Sequence, residues 1–199
     1  MKQGKRAVLG CLFGVLAAAV LGACSSTPQN TVATVELTQE EQTIATAASD
    51  IFVKYQLEPG RTYEVAVTSY RNGLQQQRKT LTNLAATEEN NTLLLSGYNT
   101  EGINYSWIVT APGERVTCPA PGFEDDGSTN RVKIQDIGQS DLPMEAGQEY
   151  LLYYVAYKAG ASTLTISEKP FHEWNTVTDK DTLLQDFDCA YLITISVAA

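Results

Sequence analysis

From Ile51 onward the chain repeats one pattern: a short run of alternating or doubly apolar residues, then a glycine or asparagine turn. Successive side chains of a strand point to opposite faces, so Ile51, Val53, Tyr55 and Leu57 share one face and Phe52, Lys54 and Gln56 the other. Eight further strand-like runs follow: "TYEVAVTSY", "LQQQRKTL", "NTLLLSGY", "INYSWIVT", "RVKIQDI", "EYLLYYVAYK", "STLTIS" and "AYLITISV". Turn signals such as Arg71-Asn72-Gly73, Asn99-Thr100-Glu101-Gly102 and Ala159-Gly160 separate them. The pattern predicts an all-β fold, an antiparallel β-sandwich of Ig-like or related type. Helix is confined to at most a short N-terminal stretch in "LTQEEQTIATAAS", where Thr38 and Glu41 have capping-box spacing and the Thr and Ser content argues against length.

An internal echo runs through this pattern. "LEPGRTYEVAVTSYRNG" (57–73) aligns without gaps on "MEAGQEYLLYYVAYKAG" (144–160), so that Glu58, Gly60, Tyr63, Tyr70 and Gly73 answer Glu145, Gly147, Tyr150, Tyr157 and Gly160. Two explanations stand: a duplication into β-halves at 45–113 and 130–199, or the similarity of turn–strand–turn units in any sandwich.

The N-terminus is built differently. Lys2, Lys5 and Arg6 precede a charge-free run from Val8 to Ala23, too short for a membrane-spanning helix but suited to a signal peptide. It ends in Leu21-Gly22-Ala23-Cys24, which resembles the lipobox of bacterial lipoproteins. The resemblance covers residues 1–24 alone. It implies cleavage after a 1–23 signal peptide and lipidation of Cys24, with acyl chains holding the protein on the outer side of a cell membrane or outer membrane. Residues 24–36 then form a lipidated, Ser/Thr-rich tether, and 37–199 the β-sandwich domain.

Without residues 1–23 the chain has 11 Lys and Arg against 23 Asp and Glu, a net charge of about −12. So acidic a chain is a poor partner for nucleic acid, whose phosphates need cationic side chains. Cys118 and Cys189 survive processing, and an even pair in an exported protein predicts a disulfide worth about 4 kcal/mol. Two buried thiols are the alternative.

Motifs of catalysis are scarce. His172 is the only histidine, and nucleophile-elbow, phosphate-loop and dinucleotide-binding patterns are absent. The sequence therefore points to no enzyme and no cofactor. Glu124, Asp125, Asp126 and Asn130, and the pair Asp179 and Asp181, are oxygen-rich but lack calcium-loop spacing, so no metal site is assigned and they read as acidic loops.

Two segments are candidates for binding. In "EYLLYYVAYK" Tyr150, Leu152 and Tyr154 take the inward role. The reverse face, Leu151, Tyr153, Val155 and Tyr157, is apolar as well, and is covered either by the same molecule or by a partner. In "EKPFHEWN", Phe171, His172 and Trp174 form an aromatic loop that either binds a ligand or plugs the sandwich. The expected function is a lipid-anchored, non-enzymatic binding module for an envelope protein or glycan. The alternatives are an envelope hydrolase using a carboxylate pair and a structural or assembly lipoprotein.

Replacing Cys24 by Ala should move the protein from the membrane to the soluble fraction or stall its processing. Acyl labelling that survives this substitution would refute the lipobox assignment.

Overall fold

The alternation seen from Ile51 onward forms the strands of two facing sheets. The structure, a computed structural model, describes residues 32–101, 103–111, 114–119, 131–138, 143–160, 167–176 and 180–198. In chain order the elements are β1 (Val32–Thr34), α1 (Gln39–Ala48), β2 (Ile51–Leu57), β3 (Thr62–Arg71), β4 (Leu74–Ala85), β5 (Thr92–Glu101) and β6 (Asn104–Ala111). There follow β7 (Glu114–Pro119), β8 (Arg131–Ile137), β9 (Glu149–Ala159), α2 (Lys169–His172), α3 (Lys180–Leu183) and β10 (Cys189–Val197). One sheet has the order β1-β2-β5-β6-β7 and the other β4-β3-β10-β9-β8, with antiparallel neighbours throughout. The all-β sandwich expected from the periodicity is the fold.

Helix α1 starts as its sequence dictates. Thr38 Oγ1 accepts from the Glu41 amide at 3.2 Å, and Glu41 Oε2 accepts from the Thr38 amide at 2.8 Å. Its other carboxylate oxygen meets Lys54 Nζ at 3.0 Å, fastening the helix to β2. No described helix is long and apolar enough to cross a membrane. Part of the stretch expected to be tether is strand: Val32–Thr34 pair with Leu57–Tyr55, because Val32 has apolar surface to bury against the core. Strand β7, absent from the sequence reading, pairs with β6 although most of its side chains are exposed, so it carries little periodic signal. Residues 161–166, most of the expected strand "STLTIS", lie outside the described residues.

The segments 45–113 and 130–199 are interleaved rather than stacked as separate units. Strand β10 stands between β3 and β9, so the second sheet draws on both segments. The echo has a physical counterpart in β3 and β9, which flank β10 on either side. Gly60 and Gly147 sit at φ of 81° and 78°, in the left-handed turns that lead into these strands. Three residues on, the Tyr63 hydroxyl accepts from the Glu58 amide at 3.2 Å and the Tyr150 hydroxyl from the Glu145 amide at 2.7 Å. The same tyrosine therefore closes the same turn twice.

One irregularity decides which side chains enter the core. Between β10 and β9 the register moves from Ile193↔Tyr153 to Thr194↔Leu151, leaving Leu152 as an extra residue. Such a bulge reverses the in/out phase beyond it. Tyr150, Leu152, Tyr153, Val155 and Tyr157 therefore all join the inter-sheet core. Leu151, Tyr154 and Ala156 join a second cluster on the outside of the sheet. Gly138 fits against the bulge: its amide donates to Leu152 O at 2.7 Å, and a Cβ there would stand 1.9 Å from Leu151 O.

Gly138→Ala should therefore cost at least about 2 kcal/mol, as backbone must move to relieve the overlap. An unchanged urea midpoint would contradict this account of the bulge.

Candidate functional site

The predicted binding face is not a face. Leu151, Tyr153, Val155 and Tyr157 are all buried, and the bulge sends Leu151 to the side opposite the other three. Of the two alternatives, the same molecule supplies the cover: the sandwich core lies on one side, and Phe171, Trp174, Leu184 and Phe187 lie on the other. The aromatic loop is that second cover. Phe171 stacks on Tyr154 with centroids 3.9 Å apart, and Trp174 sets its edge against Tyr70 at 6.0 Å. Ala156 and Ala190 supply the shallow part of the sheet surface under this layer. Phe171 and Trp174 thus cover the outside of a sheet instead of binding a ligand or plugging an end. His172 is exposed, 4.0 Å from Glu168.

The predicted disulfide is also corrected. Cys118 and Cys189 are both buried thiols with no bond between them. Cys118 belongs to β7 at the edge of one sheet and Cys189 to β10 at the centre of the other, and Cys118 Sγ lies 3.3 Å from Pro119 O. Glu124, Asp125, Asp126, Asn130 and Asp179 lie outside the described residues, as does Cys24. Among the described residues no cluster of His, Cys, Asp or Glu is placed to hold a metal.

A site that sequence reasoning missed opens at one end of the sandwich. Residues opposed across antiparallel strands share a face. The pairs Arg71↔Leu74, Arg71↔Cys189, Cys189↔Tyr157 and Tyr157↔Lys133 thus draw one row across the whole second sheet. Cys189 and Tyr157 face the core, so the row lies on the inner face, with Arg71 towards one side and Lys133 towards the other. Arg131, two residues before Lys133 on β8, shares that face. Here a cleft of about 340 Å³ is lined by Arg71, Asn72, Ile103, Arg131, Ala159, Asp188 and Cys189. That volume lies at the lower end of the range for small-molecule sites. Leu74, in register with the cleft residue Arg71, is 63 % exposed, one of two large apolar side chains so exposed among the described residues.

The backbone around the cleft is tied to Asp188. Its carbonyl accepts from the Asn72 amide at 3.1 Å, its amide donates to Tyr157 O at 2.9 Å, and its carboxylate accepts from the Ala159 amide. One residue thereby joins the β3–β4 turn, the end of β9 and the start of β10. The one sequence signal for this site was the turn Arg71-Asn72-Gly73; Arg131 is distant in sequence and was invisible as its partner.

Below the cleft the core is rich in phenols. Lys133 Nζ donates to the Tyr105 hydroxyl at 3.0 Å, and the rings of Tyr105 and Tyr191 meet edge to face at 6.2 Å. Burial, reinforced by Tyr105, pushes the Tyr157 phenol well above its ordinary range. Burial likewise raises Tyr55, Tyr153 and Tyr154, with Asp136 adding to each. The Tyr55 hydroxyl also donates to Leu152 O at 2.7 Å across the two sheets.

No protein-family model, curated protein or solved structure matches this chain.

The phenols set an alkaline limit. Each holds its proton more tightly folded than unfolded, so the unfolded chain ionises first, near pH 10. Stability contributed by these groups is complete below that pH and is lost as the pH rises toward the folded values. Urea midpoints should be level from about pH 8 to 9 and fall steeply above about pH 10; a level profile through pH 11 would refute the assignment.

Proposed function

We propose that this chain is a lipid-anchored, extracytoplasmic binding module, without catalytic activity of its own, that takes an envelope protein or glycan at the open end of its sandwich. The observation that carries the reading is the cleft between the sheet ends, where two arginines and an asparagine surround a buried floor, with the exposed Leu74 in register beside Arg71. Polar groups at the rim of an apolar floor are the usual make-up of a recognition site. The lipobox-like tetrapeptide ending at Cys24 supports attachment to a membrane.

A rigid scaffold favours binding by preformed shape. The strands that frame the cleft are paired on both sides in β3, β9 and β10, and the Asp188 bonds tie their ends together. Little ordering is then required when a ligand enters, so more of the contact energy appears as affinity.

The test is photo-crosslinking in living cells from a probe replacing Leu74, in register beside Arg71. One discrete adduct with an envelope protein or glycan is the expected result. Crosslinks confined to the chain itself would overturn the reading.

A further inference from the structure

We propose that the groove beside helix α1 is a second binding site, one that takes an alkylammonium group, the chemistry of a lysine side chain or a free alkylamine. It shares no lining residue with the cleft at the open end of the sandwich and stands independently of it.

The groove is made where one stripe of the helix meets β2. Gln42, Ala45, Thr46 and Ser49 follow one another at spacings of three, one and three, so they share a helix face. On β2, Ile51 goes to the core and Phe52 therefore takes the outer face of the first sheet, where it lines the groove. Leu37, just before the Thr38 cap, completes the apolar lining. Ala45 is buried, whereas Leu37 and Phe52 are half-buried and keep apolar surface open to the groove. The space is about 350 Å³, close to that of the cleft and within the range of small-molecule sites.

Charge decides what kind of group fits. A helix gathers partial negative charge at its C-terminal end, where the last carbonyls lack intrahelical donors, and a basic side chain in the last turn commonly answers it. Helix α1 has no basic residue in its last turn, and an acid, Asp50, follows its Ser49 cap. Asp50 lines the groove. One of its carboxylate oxygens accepts from the Asn99 amide at 2.7 Å, and no Lys or Arg among the described residues is paired with it. Lys54, the only base on β2, is committed to Glu41 near the start of the helix. A carboxylate and the negative end of a helix thus meet at one end of the groove, beside apolar surface.

An ammonium on an alkyl stem answers both halves of this site. Its three N–H donors suit a carboxylate oxygen and helix carbonyls, and its methylenes suit Leu37, Ala45 and Phe52. An aromatic ring in the lining adds attraction for a cation that lies over its face. A calcium ion fits less well: it takes about six to eight oxygen ligands, and among the described residues no three His, Cys, Asp or Glu are placed to hold a metal.

The experiment is an amide-resolved NMR titration of the full chain in detergent micelles. The probes are lysine amide acetylated at its α-nitrogen, the same compound acetylated at its ε-nitrogen as well, and butylammonium. Both ammonium probes should shift the amides of Ser49, Asp50 and Asn99, and the doubly acetylated probe should bind about fivefold more weakly or less. Asp50→Asn, which keeps an oxygen for the Asn99 amide, should weaken the ammonium probes about fivefold or more. Thr46→Lys, which places an ammonium in the last turn of the helix, should block them. Glu88→Gln, in the turn between β4 and β5, should leave binding unchanged. Tighter binding of the lysine probe assigns the groove to a partner's side chain, and tighter binding of butylammonium assigns it to a free amine.

A measurement on the unaltered protein guards against a misfolded variant: raising ionic strength several-fold should weaken ammonium binding and leave the doubly acetylated probe unaffected. Ammonium probes that bind no better than that neutral one would overturn the proposal. So would binding indifferent to both Asp50→Asn and salt, or shifts gathered at Arg71 and Asp188 instead of at Asp50. The Leu74 crosslink reads the cleft alone, so either site can fail without the other.

Discussion

Strand β10 is buried on both faces, and much of the molecule is arranged around that burial. Towards the core it presents Tyr191, Ile193, Ile195 and Val197; on the outside it presents Ala190, Leu192 and Thr194. A strand shielded from water on both sides needs every backbone donor and acceptor satisfied by neighbours. Pairing with β3 along one edge and β9 along the other meets that need. The other requirement is a layer over the outer apolar face, and the chain supplies it just before β10 begins, from Phe171, Trp174, Leu184 and Phe187. Because the cover runs directly into β10, the residue at the junction, Asp188, falls at the end of the sandwich, where it ties together the strand ends that frame the cleft. The cleft is thus a by-product of how the central strand is enclosed.

The outer layer also explains the composition of β9. A strand with solvent on one side alternates apolar and polar; "YLLYYVAY" does not, because it meets apolar partners on both sides. The bulge at Leu152 serves the same enclosure. It lets Leu152 and Tyr153, neighbours in sequence, enter the same core, and leaves Leu151 and Tyr154 for the cover. On the other flank of β10 the outward positions of β3 change character along the strand. Tyr70 lies under Trp174, whereas at the far end Glu64 meets Arg78, which also reaches Glu149 on β9. Apolar cover thus gives way to an ion-pair network across the sheet where Phe171, Trp174, Leu184 and Phe187 no longer shield it.

Much of this was legible before any coordinates. The strands from Ile51 to Leu57 and from Thr62 to Arg71 read directly from period-two alternation, and α1 from the Thr38–Glu41 box. The double apolarity of β9 correctly announced that its second face needed covering. Other features were hidden for reasons that are physical. A bulge is one residue in a run of apolar ones, so the phase assigned to Leu151, Tyr153, Val155 and Tyr157 was lost at Leu152. Strand β7 has too few buried side chains to show a period. The cysteine count licensed a disulfide, but pairing depends on where two strands lie in facing sheets, which no spacing encodes.

Local chemistry in the sequence by itself determined the class of fold, the capped helix and the two tyrosine-closed turns, because alternation, capping and left-handed glycines act over a few residues. Tertiary structure alone decided that Arg71 and Arg131 meet at one cleft and that Phe171 and Trp174 form a cover instead of a site. Those outcomes depend on which strands become neighbours, and β10 places residues far apart in sequence on one sheet by pairing with β3 and β9 at once.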